Sequence, residues 1–163
     1  MKTLKITNLI TEYYDDFTRD INEYYLDTHT GEIVIIDSFL HSQWEDEGEI
    51  VKEDLSQWQQ DEYDTMMAVF NDVDEERYHG IPSVDAGEGA DVMRQFARTV
   101  QNEKIADELF DALQGSKSFR RFRAVLNRYD EVRNNYHNFK EKCYLESLEE
   151  WLKEIGIMPE WVD

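Results

Sequence analysis

A strand–turn–strand pattern over residues 23–37 constrains the fold of this chain more than any other feature. Two runs rich in β-branched and aromatic residues flank residues 27–31. Gly31 can adopt the positive φ that a short hairpin loop needs. Residues 78–81 are interpreted as a third short strand, because Pro82 biases the residue before it toward an extended conformation. The pattern therefore predicts a small antiparallel sheet.

Beyond residue 83 the apolar residues recur at helical spacing to the end of the chain. Low counts of proline and glycine, 2 and 7 among 163 residues, favour long regular elements. The expected starts of these helices are Asp85 with Glu88, Asn102, Ser116 or Ser118, and Asp130. Gly115 is expected to end a helix, and Gly156, Ile157 and Pro159 together form a stop signal.

These patterns predict an α+β fold, in which the small antiparallel sheet built on the N-terminal hairpin packs against a mainly helical C-terminal half. The length fits one domain over residues 1–163. Within it, residues 1–82 are expected to be mixed helix and hairpin and strongly acidic, and residues 83–163 helical.

Three other segments also carry helical patterns. Residues 6–17 predict a short amphipathic helix, and residues 39–48 a weaker one. A longer helix is expected from about Asp54, with these apolar residues on one side: Leu55, Trp58, Met66, Val69 and Val73. After Asp130 there are two apolar stripes at different angles, so that helix either breaks near Lys142 or is covered on two sides.

The formal net charge of -20 is unevenly distributed. Residues 1–80 contain 5 Lys or Arg and 21 Asp or Glu, whereas residues 81–163 contain 12 and 16. The first half should therefore repel free nucleic acid and attract partners with basic surfaces. Solubility alone is the other explanation of this acidity.

Residues 115–128 form a basic island with five positive charges and no negative one. On a helical wheel the apolar residues occupy one half and the arginines the other. The candidate binding residues, for an anion or a partner, are Arg120, Arg121, Arg123 and Arg128. One hypothesis is a guanidinium face that binds phosphates or carboxylates. The other is a solvated face that pairs with acidic neighbours in the same fold.

No catalytic residue, metal site or cofactor is predicted. Glu62 lies among apolar positions and is either a carboxyl with a raised pKa or a residue at the edge of the stripe, and no second carboxylate can be placed beside it. His29 lies in the hairpin loop near Asp27 and Glu32. The alternatives there are a weak metal site and ordinary turn chemistry, in which Asp27 bonds the backbone amides of the loop. Cys143 lies on an apolar stripe and is interpreted as a core residue. The sequence contains no metal-binding, phosphate-loop or nucleophile motif.

A cytoplasmic location is expected, with no membrane span. No apolar stretch approaches the length of about 18 residues that a spanning helix requires. A single cysteine excludes an internal disulfide and fits a reducing compartment.

Four segments together resemble one bacterial family: residues 25–34, 77–82, 118–126 and 150–152. The hairpin and the Phe-Arg-Arg-Phe sequence from Phe119 to Phe122 are the specific parts. On these segments the chain resembles Uncharacterised Protein Family 0158 over most of its length from about residue 23. The resemblance implies a small single-domain bacterial protein and brings with it no activity, cofactor or catalytic residue.

Three classes of function remain open at this point. The first is a non-enzymatic interaction or regulatory protein, whose acidic N-terminal half and arginine face offer surfaces of opposite charge to an unknown protein partner. The second, less favoured, is a nucleic-acid-associated protein, in which the arginines contact phosphates or the acidic half imitates DNA. The third is an enzyme that uses dispersed carboxylates, with or without a divalent metal.

Overall fold

The protein has the predicted α+β fold in a computed structural model that describes residues 1–15, 21–47 and 51–163. The strands are β1 (Lys2–Thr7), β2 (Asn22–Asp27), β3 (Ile33–Asp37), β4 (Tyr78–Gly80) and β5 (Ile157–Val162). The helices are α1 (Ile10–Tyr14), α2 (Ser38–Glu47), α3 (Gln57–Asn71), α4 (Ala86–Thr99), α5 (Glu103–Ala112), α6 (Ser118–Leu126) and α7 (Asp130–Glu154), with a short 3-10 turn at Lys52–Asp54.

The chain divides into two compact units. The first, here called the sheet unit, consists of residues 1–83 and 149–163, and the second, the helical unit, of residues 84–148. The boundary coincides with the change of pattern near residue 82, but the last 15 residues return to the sheet unit. That the whole chain is one domain stays a prediction.

The sheet unit contains the predicted hairpin. Strand β2 pairs antiparallel with β3 and with β4, in the order β3-β2-β4. Gly31 in the loop has φ 81°, and the Asp27 carboxylate accepts the His29 amide at 2.9 Å, as turn chemistry predicts. The core on this sheet is formed by Ile36, Leu40, Met66 and Val69.

Two parallel strands, β1 and β5, contradict the expected secondary structure at both chain ends. The spacing over residues 6–17 predicted one helix, but Ile6 lies fully buried in β1, and α1 covers only Ile10–Tyr14; Phe17 lies outside the described residues. Strand β5 follows the predicted stop at Gly156, which has φ 81°. The pairing places Lys2 opposite Ile157, a partner too distant in sequence for local patterns to reveal.

Strand β5 tolerates a proline because of the way that it pairs. The carbonyls of Gly156 and Val162 accept the amides of Lys2 in β1 and of Asn8, the residue after β1. The backbone N–H and C=O groups of the residues that alternate with Gly156 and Val162 along β5 point away from β1, and Pro159 is one of these residues. Its missing N–H therefore removes no hydrogen bond of this ladder.

The apolar stripe expected on α3 is only partly buried. Met66 and Val69 lie in the core, whereas Trp58 is 56% exposed and Val73 84% exposed. Val73 follows the end of α3, and Trp58 lies in its first turn, next to the Ser56–Gln59 capping box. The stripe therefore holds in the middle of the helix, where β3 and α2 cover it, and fails at both ends.

The helical unit has its own core, and its helices begin where the sequence predicted. Asp85 accepts the Glu88 amide at 2.8 Å and Asn102 the Ile105 amide at 3.1 Å, so both act as N-caps. Helix α7 begins at Asp130 and runs unbroken past Lys142. The buried residues that form this core are Met93, Phe96, Ala97, Leu109, Ala112, Phe122, Val125, Leu126 and Tyr136.

Candidate anion-binding interface

Helix α6 carries the predicted arginine face and lies in the helical unit. Gly115, with φ 75°, and Lys117, with φ 57°, allow the chain to turn between α5 and α6. The helix then buries Phe122, Val125 and Leu126 against the core. The apolar half of the predicted wheel is therefore the packed side, and the arginines lie on the opposite side.

All four candidate arginines are exposed, and they separate into two rows. The inner row consists of Arg121 and Arg128, two helical turns apart, whose guanidinium groups reach α5. The outer row consists of Arg120 and Arg123. The seven-residue spacing of Arg121 and Arg128 already places these two in line, but the sequence could not show which row faces α5.

Arg121 closes the C-terminal end of α5. Its guanidinium donates one hydrogen bond to the carbonyl of Gln114 and another, of 3.0 Å, to the carbonyl of Asp111. The last carbonyls of a helix have no partner within the helix and carry partial negative charge. The role of Arg121 is therefore at least partly structural.

Arg128 forms part of a small charged cluster with Glu108 of α5. Its guanidinium lies 3.5 Å from the Glu108 carboxylate, which also accepts a 2.9 Å hydrogen bond from the Tyr129 hydroxyl. That hydrogen bond, with burial as a smaller cause, raises the pKa of Tyr129. Glu108 thus binds two side chains from the turn that follows α6.

An open groove of about 470 Å³ lies between α5 and α6. Its floor consists of small or short apolar side chains, Ala112, Ala124 and Val125. Its charged lining carries both signs, with Glu108 and Asp111 from α5, Arg121 from α6 and Arg128 from the turn after α6. A purely anionic ligand would meet repulsion as well as attraction in this groove.

Arg120 of the outer row differs in its contacts from the inner-row arginines. Over residues 1–15, 21–47 and 51–163, the guanidinium of Arg120 has no hydrogen-bond or ion-pair partner. Arg123, one turn further along, is also exposed. An exposed guanidinium offers a planar set of N–H donors to a carboxylate or phosphate from outside.

Glu62 is half-buried, in agreement with the hypothesis that it is a carboxyl with a raised pKa. Its carboxylate accepts the backbone amide of Asp37, and burial is the main cause that raises its pKa. The charge of the Asp37 carboxylate also raises this pKa, although the sequence could place no second carboxylate here. Asp37 is itself engaged as the cap of α2, since it accepts the Phe39 amide at 2.7 Å.

A polar cluster around His41 was not predicted from the sequence. The two ring nitrogens of His41 contact the carboxylates of Glu23 and Glu45, the latter at 3.0 Å, and the His41 ring packs on Phe70. The i,i+4 spacing of His41 and Glu45 was a signal in the sequence. The Glu23 contact was not, because it depends on how α2 packs against β2.

The histidines, cysteine and carboxylates of the described part of the chain form no metal site. There, no group of three or more His, Cys, Asp or Glu side chains is arranged to hold a metal ion. Cys143 is half-buried rather than fully enclosed, and burial raises its pKa. None of the described helices is both long enough and apolar enough to cross a membrane.

Comparison with known proteins identifies one family. The model of an uncharacterised protein family (UPF0158) matches residues 43–161. The match includes α6 and both arginine rows, whereas the hairpin precedes it. No curated protein and no solved structure matches the chain.

Proposed function

The chain belongs to the uncharacterised protein family UPF0158, and from that premise we propose that it is a non-enzymatic protein-interaction module. In this proposal the outer row of α6, Arg120 and Arg123, binds carboxylates on the surface of a partner protein. The exposed, unpaired guanidinium of Arg120 in the described structure is the observation that carries the proposal.

The distribution of charge supports this assignment. The helical unit contains 11 Lys or Arg and 11 Asp or Glu, so its net charge is zero, and the full charge of -20 belongs to the sheet unit. Within the neutral helical unit, residues 117–128 contain five cations and no acid. An acidic partner surface would therefore find a local positive patch on α6.

The lining of the adjacent groove favours a protein partner over nucleic acid. Glu108 and Asp111 lie beside the inner-row arginines. A protein surface can place a cation opposite these carboxylates, whereas a phosphate backbone offers negative charge alone. The net charge of the whole chain opposes nucleic acid at long range as well.

The test is affinity capture with the full chain and two charge-reversed variants. One variant is Arg120→Glu/Arg123→Glu on α6. The control, Arg98→Glu/Lys104→Glu, makes the same charge change at exposed positions on α4 and α5. Captured proteins are quantified by mass spectrometry at about 50 and 200 mM salt, because exposed ion pairs weaken as the Debye length falls.

We expect wild type and control to retain the same partner, and the α6 variant to lose it by about tenfold or more, with weaker retention at the higher salt. Equal retention by the α6 variant, or no specific protein at either salt, would refute the proposal. A gel shift of DNA or RNA that depends on Arg120 and Arg123 would replace it with the nucleic-acid alternative.

A further inference from the structure

Two large aromatic side chains in the sheet unit are mostly exposed to solvent, which is energetically unfavourable for apolar groups of this size. Phe39, near the start of α2, is 69% exposed, and Trp58, in the first turn of α3, is 56% exposed. Tryptophan is enriched among the residues that contribute most to protein interfaces. These rings do not belong to the α6 surface, which lies in the helical unit.

A pair of carboxylates links the backbone at the start of α2, next to Phe39, to the face of α3 that carries Trp58. Glu62 lies one helical turn after Trp58, so their side chains share a face of α3. The Glu62 carboxylate accepts the amide of Asp37, and the Asp37 carboxylate accepts the amide of Phe39 at 2.7 Å. The four residues Phe39, Asp37, Glu62 and Trp58 are here called the acidic–aromatic surface.

The surrounding sequence almost lacks cations. Residues 20–76 contain 18 Asp or Glu and a single Lys or Arg, which is Lys52. Lys52 is already paired with Asp64, at 2.9 Å. Asp37 and Glu62 have no ion-pair partner within the described structure, so a cation that neutralises them can be supplied by another molecule.

From this charge complementarity we infer that the acidic–aromatic surface binds a basic segment of a partner protein that presents lysine or arginine side chains. Their charged ends bind the carboxylates of Asp37 and Glu62. Their aliphatic stems and cationic groups pack on the rings of Phe39 and Trp58. The inference stands independently of the α6 proposal, because it concerns another surface and a partner of the opposite charge.

The test measures binding of fluorescent peptides to the full chain by anisotropy. Three peptides of equal length, about 12 residues, share leucines at the same positions and carry either Lys and Arg, Gln, or Glu at the others. Trp58→Ala and Phe39→Ala remove the rings one at a time. Val73→Ala is the control, since it shortens an apolar side chain that is 84% exposed outside this surface.

We expect only the basic peptide to bind, and each ring variant to weaken its binding by about tenfold, with the Val73 variant unchanged. Glu62→Gln should weaken binding as well, whereas Asp74→Asn, an exposed change in the same acidic segment, should not. Binding that is equally strong in both ring variants would mean non-specific attraction and overturn the inference. Failure of the basic peptide to bind, or equal binding of the Gln peptide, would overturn it too.

Discussion

Asp27 and Arg77, 50 residues apart in the chain, form a bidentate ion pair that joins the hairpin loop to the residue before β4. The Arg77 Nε lies 3.0 Å from one carboxylate oxygen, and a terminal nitrogen lies 2.8 Å from the other. The Thr28 amide also donates to the Arg77 carbonyl, at 2.8 Å. Together with the pairing of β2 and β4, these contacts of Arg77 hold two of the segments that carry the family resemblance against each other.

Asp27→Asn should destabilise the protein by about 2–3 kcal/mol at neutral pH, because the buried Asp27 carboxylate loses its charge and with it two charge-assisted hydrogen bonds from Arg77. The Arg77 hydrogen bonds hold the pKa of Asp27 below its ordinary value of 3.8. The stability contributed by the pair is therefore present above that value and is lost as the pH falls through the lowered one.

Urea unfolding of wild type and Asp27→Asn near pH 7 and near pH 3 measures both effects. The difference between the two proteins should shrink at the acidic pH. Asp64→Asn is the control, since it removes an exposed partner of Lys52 and should cost far less. A neutral-pH loss no larger than that of the control would contradict the prediction.

Gly31→Ala should be strongly destabilising, by at least about 2 kcal/mol, for two reasons. At φ 81° any other L-residue is strained, and a methyl group there would overlap the backbone carbonyl oxygen of Lys5 in β1. Gly156→Ala separates the two causes, because Gly156 has the same φ with no atom within 4 Å of the added carbon. It should cost only about 1 kcal/mol. Equal thermal shifts for the two variants would show that the contact with Lys5 contributes nothing.

Arg121→Ala should lower stability by about 1 kcal/mol, whereas Arg120→Ala should change it by less than about 0.5 kcal/mol. The reason is that Arg121 satisfies two carbonyls at the end of α5, and the guanidinium of Arg120 has no partner in the described structure. Chemical denaturation of both variants gives the comparison. The opposite ranking would mean that the two rows are assigned the wrong way round.

Glu62→Gln should leave the protein at least as stable as wild type at pH 7. The amide of glutamine can still accept the Asp37 N–H, and the substitution removes a half-buried charge. Because burial raises the pKa of Glu62 above 4.5 in the folded state, wild type gains stability as the pH falls through the raised value and loses it as the pH rises. We would measure the unfolding free energy at intervals of about one pH unit from pH 4 to pH 7. It should fall more steeply with rising pH in wild type than in the variant. Parallel curves would contradict this.

Local rules, acting within a few residues, were sufficient for much of this fold. The hairpin around Gly31, the caps at Asp85 and Asn102, the start of α7 at Asp130 and the two faces of α6 could all be predicted from the sequence. Each depends on backbone preferences, capping hydrogen bonds or apolar spacing within a single element. For the same reason, the arginine face could be located on α6 before its surroundings were known.

Only the tertiary structure decided the contacts between distant elements. Ile6 became part of a strand because β5, at the far end of the chain, pairs with β1, and helical spacing could not reveal that partner. Trp58 stayed exposed because no described element covers the first turn of α3. That Arg121 and Arg128 are the arginines that contact α5 likewise follows from the packing of α5 beside α6. Burial and pairing depend on which surfaces meet, and that is a property of the whole folded chain rather than of any one segment.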